Sequence, residues 1–178
     1  ARAKPDGYTL LLGTQTALSV NPTLLKKISY DVDKDFAPIT QLASTPLVLL
    51  ASNKSGARNV PELVAAIKAK PDAVSYGTSG NGTSQHLTTL MLLNRIGGTA
   101  VHIPYKGSSQ SLVDLAGNQI DMQFDNMTTA LAFAKNGQAK ALAVTSATRS
   151  PLQPDLPTLA ESGVAGFESV TWLGLLAP

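Results

Sequence analysis

The fold of this chain is decided by one stretch, Val74–Leu93, with the sequence VSYGTSGNGTSQHLTTLMLL. It opens with a short strand-like segment, Val74–Tyr76, and continues through a glycine-rich loop, Gly77–Gly82. Ser84 is a suitable N-cap for a helix that ends near the two glycines at positions 97 and 98. The apolar side chains of that helix recur at helical spacing at Leu87, Leu90, Met91 and Leu93. The stretch therefore predicts one strand–loop–helix unit.

The same alternation continues on both sides of this stretch. Upstream, Asn59-Val60-Pro61-Glu62 has the pattern of a capping box with proline in the first turn, and it predicts a helix that ends before Pro71. Downstream, the pattern predicts strand Thr99–Ile103, a helix from Ser108 to Gly117, strand Ile120–Phe124, helix Thr128–Lys135 and strand Ala141–Val144. Strands joined in turn by single helices form right-handed βαβ units, so we expect an α/β fold with a mainly parallel sheet.

The two ends of the chain are less regular. Before the alternating region the sequence predicts strand Tyr8–Gly13, a short helix at Asn21–Leu25, a polar connector at Asp31–Phe36, and strand-like segments Ile39–Ala43 and Leu47–Leu50 that form one extended segment. After Val144 three prolines lead into a short helix at Thr158–Ser162 and an apolar strand at Val170–Leu176. This shift in composition indicates that the chain leaves one lobe and enters another.

The amino-acid composition excludes several classes of binding partner and of functional site. The 178 residues carry 14 Lys plus Arg against 12 Asp plus Glu, a net charge of +2, without a basic stripe or many aromatic rings, which argues against nucleic acid. Cysteine is absent, so disulfides, thiolate metal sites and cysteine nucleophiles are excluded. The longest apolar run, Pro46–Ala51, has the length of a strand and not of a membrane span. The first residues lack the features of a signal peptide and an initiator Met, which indicates a trimmed product or a fragment.

The loop after the strand Val74–Tyr76 approaches three enzymatic glycine motifs and departs from each. A nucleophile elbow requires glycine where Asn81 stands, a P-loop requires lysine where Thr83 stands, and a dinucleotide fingerprint requires glycine where Gln85 stands. What remains is a turn with hydroxyls, one amide and a helix N-terminus, which offers backbone N–H groups and roughly half a unit of positive charge. The arrangement suits a carboxylate, and it equally fits an ordinary tight turn whose glycines serve packing.

Two further loops follow predicted strands at the same edge of the sheet. The loop Tyr105–Ser109 offers a phenol, an ammonium group and a hydroxyl-capped helix start, or it is a solvated lysine beside a simple helix cap. Asp125 and Asn126 suit the ammonium or hydroxyl group of a ligand, or else Asn126 or Thr128 caps the next helix. The sequence leaves both pairs of interpretations open.

The two histidines allow a comparison with serine hydrolases, in which Ser79 or Ser84 would be the nucleophile. His86 lies in the first turns of a predicted helix and His102 inside a predicted strand, and we interpret both as structural. A catalytic triad also requires a base within hydrogen-bond reach of the serine and an acid behind it. We therefore predict no catalytic residue, no metal site and no cofactor.

Seven motifs, in their order along the chain, resemble those of one protein family. They are Pro5–Leu11, Tyr76–Leu87, Ile103–Ser108, Phe124–Asn126, Ala141–Ser146, Leu156–Gly163 and Trp172–Pro178. Together they resemble the Bug (TctC-like) receptors, which are the periplasmic solute-binding proteins of tripartite tricarboxylate transporters. The likeness covers essentially the whole chain.

The resemblance implies a type II periplasmic-binding-protein fold, with two α/β lobes joined by crossing strands and a carboxylated solute bound between them. It implies part of lobe 1 at residues 1–44, a complete lobe 2 at 45–146 and a return to lobe 1 at 147–178. It also implies a periplasmic, non-enzymatic receptor that needs no cofactor and passes its solute to membrane permease subunits.

The resemblance further implies which residues bind the ligand. In the family, two strand-to-helix loops hold one carboxylate, partly through ordered water, and a separate corner contacts the other end of the ligand. The second-lobe loop matches Thr78, Ser79, Gly80, Asn81, Gly82, Thr83 and Ser84. Thr14, Gln15 and Thr16 match a first-lobe loop, Asp125 and Asn126 match the corner, and Tyr105 lies on the same rim as the second-lobe loop.

This chain also departs from the family pattern. Family members have further first-lobe elements before the Pro-Asp-Gly-Tyr motif, with which this chain begins, and a C-terminal helix region after its last motif. We therefore expect an incomplete first lobe whose sheet edges can pair with another copy. The solute stays open among dicarboxylates, tricarboxylates, amino acids and aromatic acids. The alternatives are an intracellular effector-sensing domain of the same fold, which requires an attached helix-turn-helix, and, less favoured, a serine hydrolase built on Ser79.

Overall fold

The computed structural model describes all 178 residues, which form two compact units: residues 1–45 with 171–178, and residues 46–170. The strands are β1 (Leu11–Thr14), β2 (Ala37–Ala51), β3 (Ser75–Thr78), β4 (Val101–Pro104), β5 (Met122–Asn126), β6 (Lys140–Val144) and β7 (Val170–Ala177). The helices are α1 (Asn21–Leu24), α2 (Val32–Asp35), α3 (Val60–Ala69), α4 (Ser84–Ile96), α5 (Ser108–Ala116) and α6 (Met127–Lys135), and a π-helical turn at Thr16–Val20 precedes α1. Every strand and helix predicted between residues 59 and 144 is present.

The sheet of the second unit has the strand order β6-β2-β5-β3-β4. Strand β3 runs parallel to β4 and β5, as predicted for βαβ units. Strand β2 runs antiparallel to β5 and β6, so the sheet is mixed and not mainly parallel as expected. The physical reason is that β2 enters this unit as one extended strand from the first unit, without a crossover helix that would impose a parallel direction.

Both faces of this sheet are covered, and the residues of β2 show how. Leu47, Leu49 and Ala51 belong to one buried cluster, whereas Val48 and Leu50 belong to another. Successive side chains of a strand lie on opposite faces, so a strand buried on both faces needs the unbroken apolar run that the sequence shows here. The first cluster includes Leu63 and Ile67 of α3 and Leu92 of α4; the second includes Leu112 and Leu115 of α5 and Ala130 of α6.

Residues 147–170 lie in the second unit, whereas the sequence predicted a return to the first lobe at residue 147. The backbone of this segment pairs with the end of β6, since Val144 N donates to Pro157 O and Leu159 N donates to Val144 O. Leu159 and Phe167 are buried in the first cluster. Because these hydrogen bonds hold the backbone beside β6, Thr158–Ser162 forms turns and not the predicted helix.

In the first unit, β7 lies between β1 and β2, and β1 pairs with it in antiparallel register, with Leu12 opposite Leu175. Strand β1 begins at Leu11, later than the predicted Tyr8. The predicted polar connector contains the single helical turn α2, because the Asp31 carboxylate caps it by accepting from the backbone N–H groups of Asp33 and Lys34. None of the helices of the chain combines the length and the apolar character that crossing a membrane would require.

Helix α4 offers a matched pair of leucines that tests this packing. Leu92 is 1% exposed and Leu90 is 44% exposed, although they are two residues apart on the same helix. We expect Leu92→Ala to lower the free energy of unfolding by about 2–5 kcal/mol, because it leaves a cavity between α4 and the sheet. Leu90→Ala should change it by no more than about 0.5 kcal/mol. Urea denaturation of the two variants measures both values, and equal losses would contradict the orientation of α4.

Candidate functional site

The carboxyl ends of β3, β4 and β5 lie at one edge of the second unit's sheet, and the loop from β3 to α4 is the most elaborate of the loops that follow them. Strand β3 includes Gly77 and Thr78, so the loop is shorter than predicted. The N-cap of α4 is Thr83 and not Ser84, because Thr83 Oγ1 accepts from His86 N at 3.4 Å. The same hydroxyl donates to Gly80 O at 2.8 Å, which closes the loop onto the start of the helix.

Three backbone N–H groups of the loop donate to acceptors inside the protein. Ser79 N donates to Gln85 Oε1 at 2.6 Å, Gly80 N to Thr78 Oγ1 at 3.1 Å, and Gly82 N to His86 Nδ1 at 3.1 Å. Asn81, which lies between them, is exposed and makes no hydrogen bond within the chain. The Asn81 N–H is thus an unpaired backbone donor beside the N-terminus of a thirteen-residue helix. This arrangement suits a carboxylate oxygen.

The conformation of the loop requires its glycines. Gly80 has φ of +126° and Gly82 has φ of +75°, which other residues adopt only with strain. Gly80 also lies close to the next loop, since a Cβ at this position would stand 3.5 Å from Tyr105 O. Gly77 has a different role, because a Cβ there would stand 2.5 Å from Ile120 Cδ1. The glycines therefore serve both loop geometry and packing.

Asp125, which the sequence predicted to contact the ligand, is completely buried at the end of β5. Its Oδ1 accepts from Asn126 N at 2.6 Å and from Gln85 Nε2 at 3.2 Å, and its Oδ2 accepts from Gln123 Nε2 at 3.0 Å. Burial raises the pKa of Asp125, and these three amide donors act in the opposite direction. In this unit the carboxylate is therefore occupied by protein amides, and the neighbouring Asn126 is the exposed residue of the predicted pair.

Two histidines and a tyrosine form a stack below the loop. The ring centroids of His86 and His102 are 4.2 Å apart, and those of His102 and Tyr76 are 4.8 Å apart. His102 Nε2 is 2.7 Å from Thr78 Oγ1, and His86 Nδ1 accepts from Gly82 N, so both rings have partners, as predicted for structural histidines. Burial lowers the pKa of both, and the neighbouring His86 lowers that of His102 further. Neutral rings are therefore favoured.

Tyr105 joins the loops after β3 and β4. Its N–H donates to Thr78 O at 3.0 Å, and its hydroxyl donates to Asp114 Oδ2 of α5 at 2.6 Å. Burial and the hydrogen bond to Asp114 raise the pKa of Tyr105 to about 12. The predicted cap at Ser108 is wrong, because Gly107 occupies the N-cap position of α5 and supplies no side chain.

The remaining predicted residues lie in the first unit. Thr14 is the last residue of β1, Gln15 is the N-cap of the π-helical turn, and Thr16 is the first residue of that turn. Thr14 Oγ1 accepts from Ala17 N at 3.3 Å, which anchors the start of this turn. Their ligand contacts stay a prediction.

Sequence reasoning did not assign a role to Gln85 or Gln123. Gln85 is the second residue of α4 and is 5% exposed, and its two ends contact Ser79 and Asp125. Gln123 precedes Asp125 by two residues on β5 and is fully buried; its NH₂ group donates to Asp125, and its Oε1 has no partner. For Gln123 the available signal was an uncharged amide inside a predicted strand of a covered sheet, where polar side chains need partners. Gln85 lies off the apolar stripe predicted for its helix, so the pattern gave no signal for it.

The geometry defines an α/β unit whose β3–α4 loop is held by internal hydrogen bonds and has a shape that suits an anion. The comparison with known families agrees: residues 1–178 match the family described as the tripartite tricarboxylate transporter family receptor, TctC. The chain belongs to this family, and the predicted recognition is confirmed. The chain spans about half the length of the curated relatives it matches. It covers 53% of a protein from the tcbD-tcbE intergenic region of Pseudomonas sp. and 55% of BugT from Bordetella pertussis, each 36% identical over 179 residues.

Solved structures confirm the fold class. The chain is similar to R. palustris Rpa4515 with adipate, with 32% identity and a TM-score of 0.93 over 99% of this chain and 59% of that one. It is similar to the periplasmic binding protein BugD, with 38% identity and a TM-score of 0.88 over 99% of this chain and 59% of that one. It is also similar to MatC from Rhodopseudomonas palustris with bound malate, with 30% identity and a TM-score of 0.86 over 99% of this chain and 60% of that one.

The histidine stack predicts a dependence of stability on pH. The pKa of His86 in the folded chain lies below its ordinary value of 6.5. The contribution of His86 to the free energy of unfolding is therefore fully present above pH 6.5 and is lost as the pH falls through the folded pKa. We expect wild type to lose stability between about pH 7.5 and about pH 5.5, and His86→Asn to lose less, since Asn Oδ1 replaces the Nδ1 acceptor and does not titrate. Urea denaturation at both pH values measures the difference. Equal losses in both proteins would contradict the role of His86.

Proposed function

We propose that this chain binds a small carboxylated solute as part of a periplasmic receptor that delivers the solute to the membrane permease of a tripartite tricarboxylate transporter. Membership of the receptor family supports the transport role. The adipate and malate in two similar structures support a dicarboxylate as the first class to test. The similarity to the periplasmic protein BugD supports the location.

The proposal rests on the hydrogen bonds that the backbone N–H groups of the β3–α4 loop make within the protein. Ser79, Gly80 and Gly82 direct their N–H groups to acceptors within the protein, so the loop is held in shape before a ligand arrives. A preformed donor binds more tightly than a flexible one because less conformational freedom is lost on binding. The Asn81 N–H and the N-terminal dipole of α4 then act together on one carboxylate, which matches the chemistry of both dicarboxylates.

A binding role, and not catalysis, also fits the hydrogen bonds of the histidines. A serine hydrolase would need a histidine nitrogen within reach of its nucleophile. In this chain His102 Nε2 is instead 2.7 Å from the Thr78 hydroxyl. His86 Nδ1 accepts a hydrogen bond from the Gly82 N–H. These bonds stabilise the loop. We accordingly expect the bound solute to be recovered unchanged.

Burial separates the predicted ligand-binding residues into two groups within the second unit. Thr78, Gly82 and Asp125 are buried and shape the site. The exposed or half-buried members, which are available to a solute, are Ser79, Gly80, Asn81, Thr83, Ser84, Tyr105 and Asn126. We propose that the second group contains the direct contacts made by the second unit.

A pair of substitutions at Asn81 tests this proposal. Asn81→Pro removes the backbone N–H, whereas Asn81→Ala keeps it and removes only the side chain. A hydrogen bond to a charged group contributes about 1.5–3 kcal/mol, so we expect Asn81→Pro to weaken adipate or malate binding by about 10- to 150-fold. Asn81→Ala should bind within about threefold of wild type, because its backbone donor is intact. Isothermal titration calorimetry on this chain measures the dissociation constants.

The wild-type titration is the control for the function itself. If wild type binds neither dicarboxylate while tricarboxylates, amino acids and aromatic acids also give no heat, the chain is not a carboxylate-binding unit. If wild type binds and Asn81→Pro binds equally well, the carboxylate is held elsewhere. Circular dichroism of both variants shows whether they are folded.

A further inference from the structure

A buried hydrogen-bonded chain connects Asp125 to the backbone of the anion-binding loop. Gln85 Nε2 donates to Asp125 Oδ1 at 3.2 Å, and Gln85 Oε1 accepts from Ser79 N at 2.6 Å. We propose that Gln85 and Asp125 are positioning residues, which fix the Ser79–Gly80 segment and thereby place the Asn81 N–H for the solute carboxylate. This inference rests on the proposed function and assigns Asp125 a role other than the ligand contact that the sequence suggested.

The direction of the Gln85 amide follows from the hydrogen-bond acceptors of Asp125. A glutamine side chain has a donor end and an acceptor end, and the two orientations occupy almost the same space. Both oxygens of Asp125 accept hydrogen bonds from amide groups, so they select the orientation in which the Gln85 NH₂ group faces the carboxyl group. The Gln85 oxygen must then face Ser79 N. The reverse orientation would place two acceptors together at Asp125 and two donors together at Ser79.

Asp125 is itself held in a fixed position. It receives N–H groups from Asn126 and Gln123 in addition to Gln85, and these donors engage both of its oxygens. Asp125 is 0% exposed and Gln85 is 5% exposed, so water does not compete for these bonds. In such surroundings these hydrogen bonds hold the side chains of Gln85 and Asp125 rigidly, and the loss of one partner leaves polar groups without hydrogen bonds.

The first test replaces Gln85 by methionine, which has a similar length and no amide. We expect hydrogen exchange of the Ser79 amide, followed by NMR without ligand, to become at least about tenfold faster, because its buried acceptor is gone. Malate binding should weaken by about tenfold, since the loop is no longer held before binding. Gln138→Met is the matched control, because Gln138 is exposed in the turn after α6.

The second test, Gln85→Glu, has a signature that a purely structural role would not produce. It places a second carboxylate beside Asp125, and two adjacent carboxylates cannot both stay ionised without a large penalty. A proton shared between them at lower pH would leave the introduced carboxyl group able to accept from Ser79 N. Relative to wild type in the same buffer, Gln85→Glu should bind malate weakly at about pH 7.5 and recover at about pH 5, while Gln85→Met stays weak at both.

The comparison with wild type at each pH removes the effect of the other titratable rings that contact this loop, His86 of α4 and His102 of β4. An unchanged Ser79 exchange rate or an unchanged malate affinity in Gln85→Met would overturn the inference. An equal loss of malate affinity in Gln85→Glu at about pH 7.5 and at about pH 5 would also overturn the inference. Absence of binding in wild type would refute the proposed function instead, and the exchange rates without ligand would still decide whether Gln85 holds the loop.

Discussion

The structure of the site depends on how the backbone N–H groups of one short loop are satisfied. Polar backbone groups near the interior need partners, and a tight turn cannot supply them from its own carbonyl groups alone. Side chains of the flanking elements supply them here: Thr78 from β3, and Gln85 and His86 from the first turn of α4. These three bonds engage the N–H groups of Ser79, Gly80 and Gly82, whereas the Asn81 N–H has no partner within the chain and is the donor that we propose for the solute carboxylate.

This constraint explains why unusual polar groups are buried in the second unit. Asp125 and Gln123 occupy interior positions of β5, where an apolar residue would be the ordinary choice. The histidine stack likewise places two titratable rings against each other at 4.2 Å, which disfavours their charged forms. Each of these groups costs stability through lost hydration. Each has a hydrogen bond within the network beneath the loop, and that network keeps the loop in one conformation.

The sequence predicted the parts of the fold that depend on local patterns. The βα alternation, the left-handed glycine at the end of α4 and the continuous β2 strand all follow from periodicity and capping signals. Patterns along the chain carry no information on which strands pair, so the antiparallel direction of β2 and the placement of residues 147–170 were missed. For the site, the loop and its helix were predicted. The links from Gln85 to Asp125, 40 residues away, depend on tertiary packing.

The most direct test of the central claim is a titration of the ¹⁵N-labelled chain with malate, followed amide by amide. The account predicts that the Asn81 N–H resonance moves downfield more than any other amide of the loop, as expected for a new hydrogen bond to a carboxylate. Ser79, Gly80 and Gly82 should move little, because their donors are already engaged. Saturable binding of malate that leaves Asn81 unmoved would contradict the account.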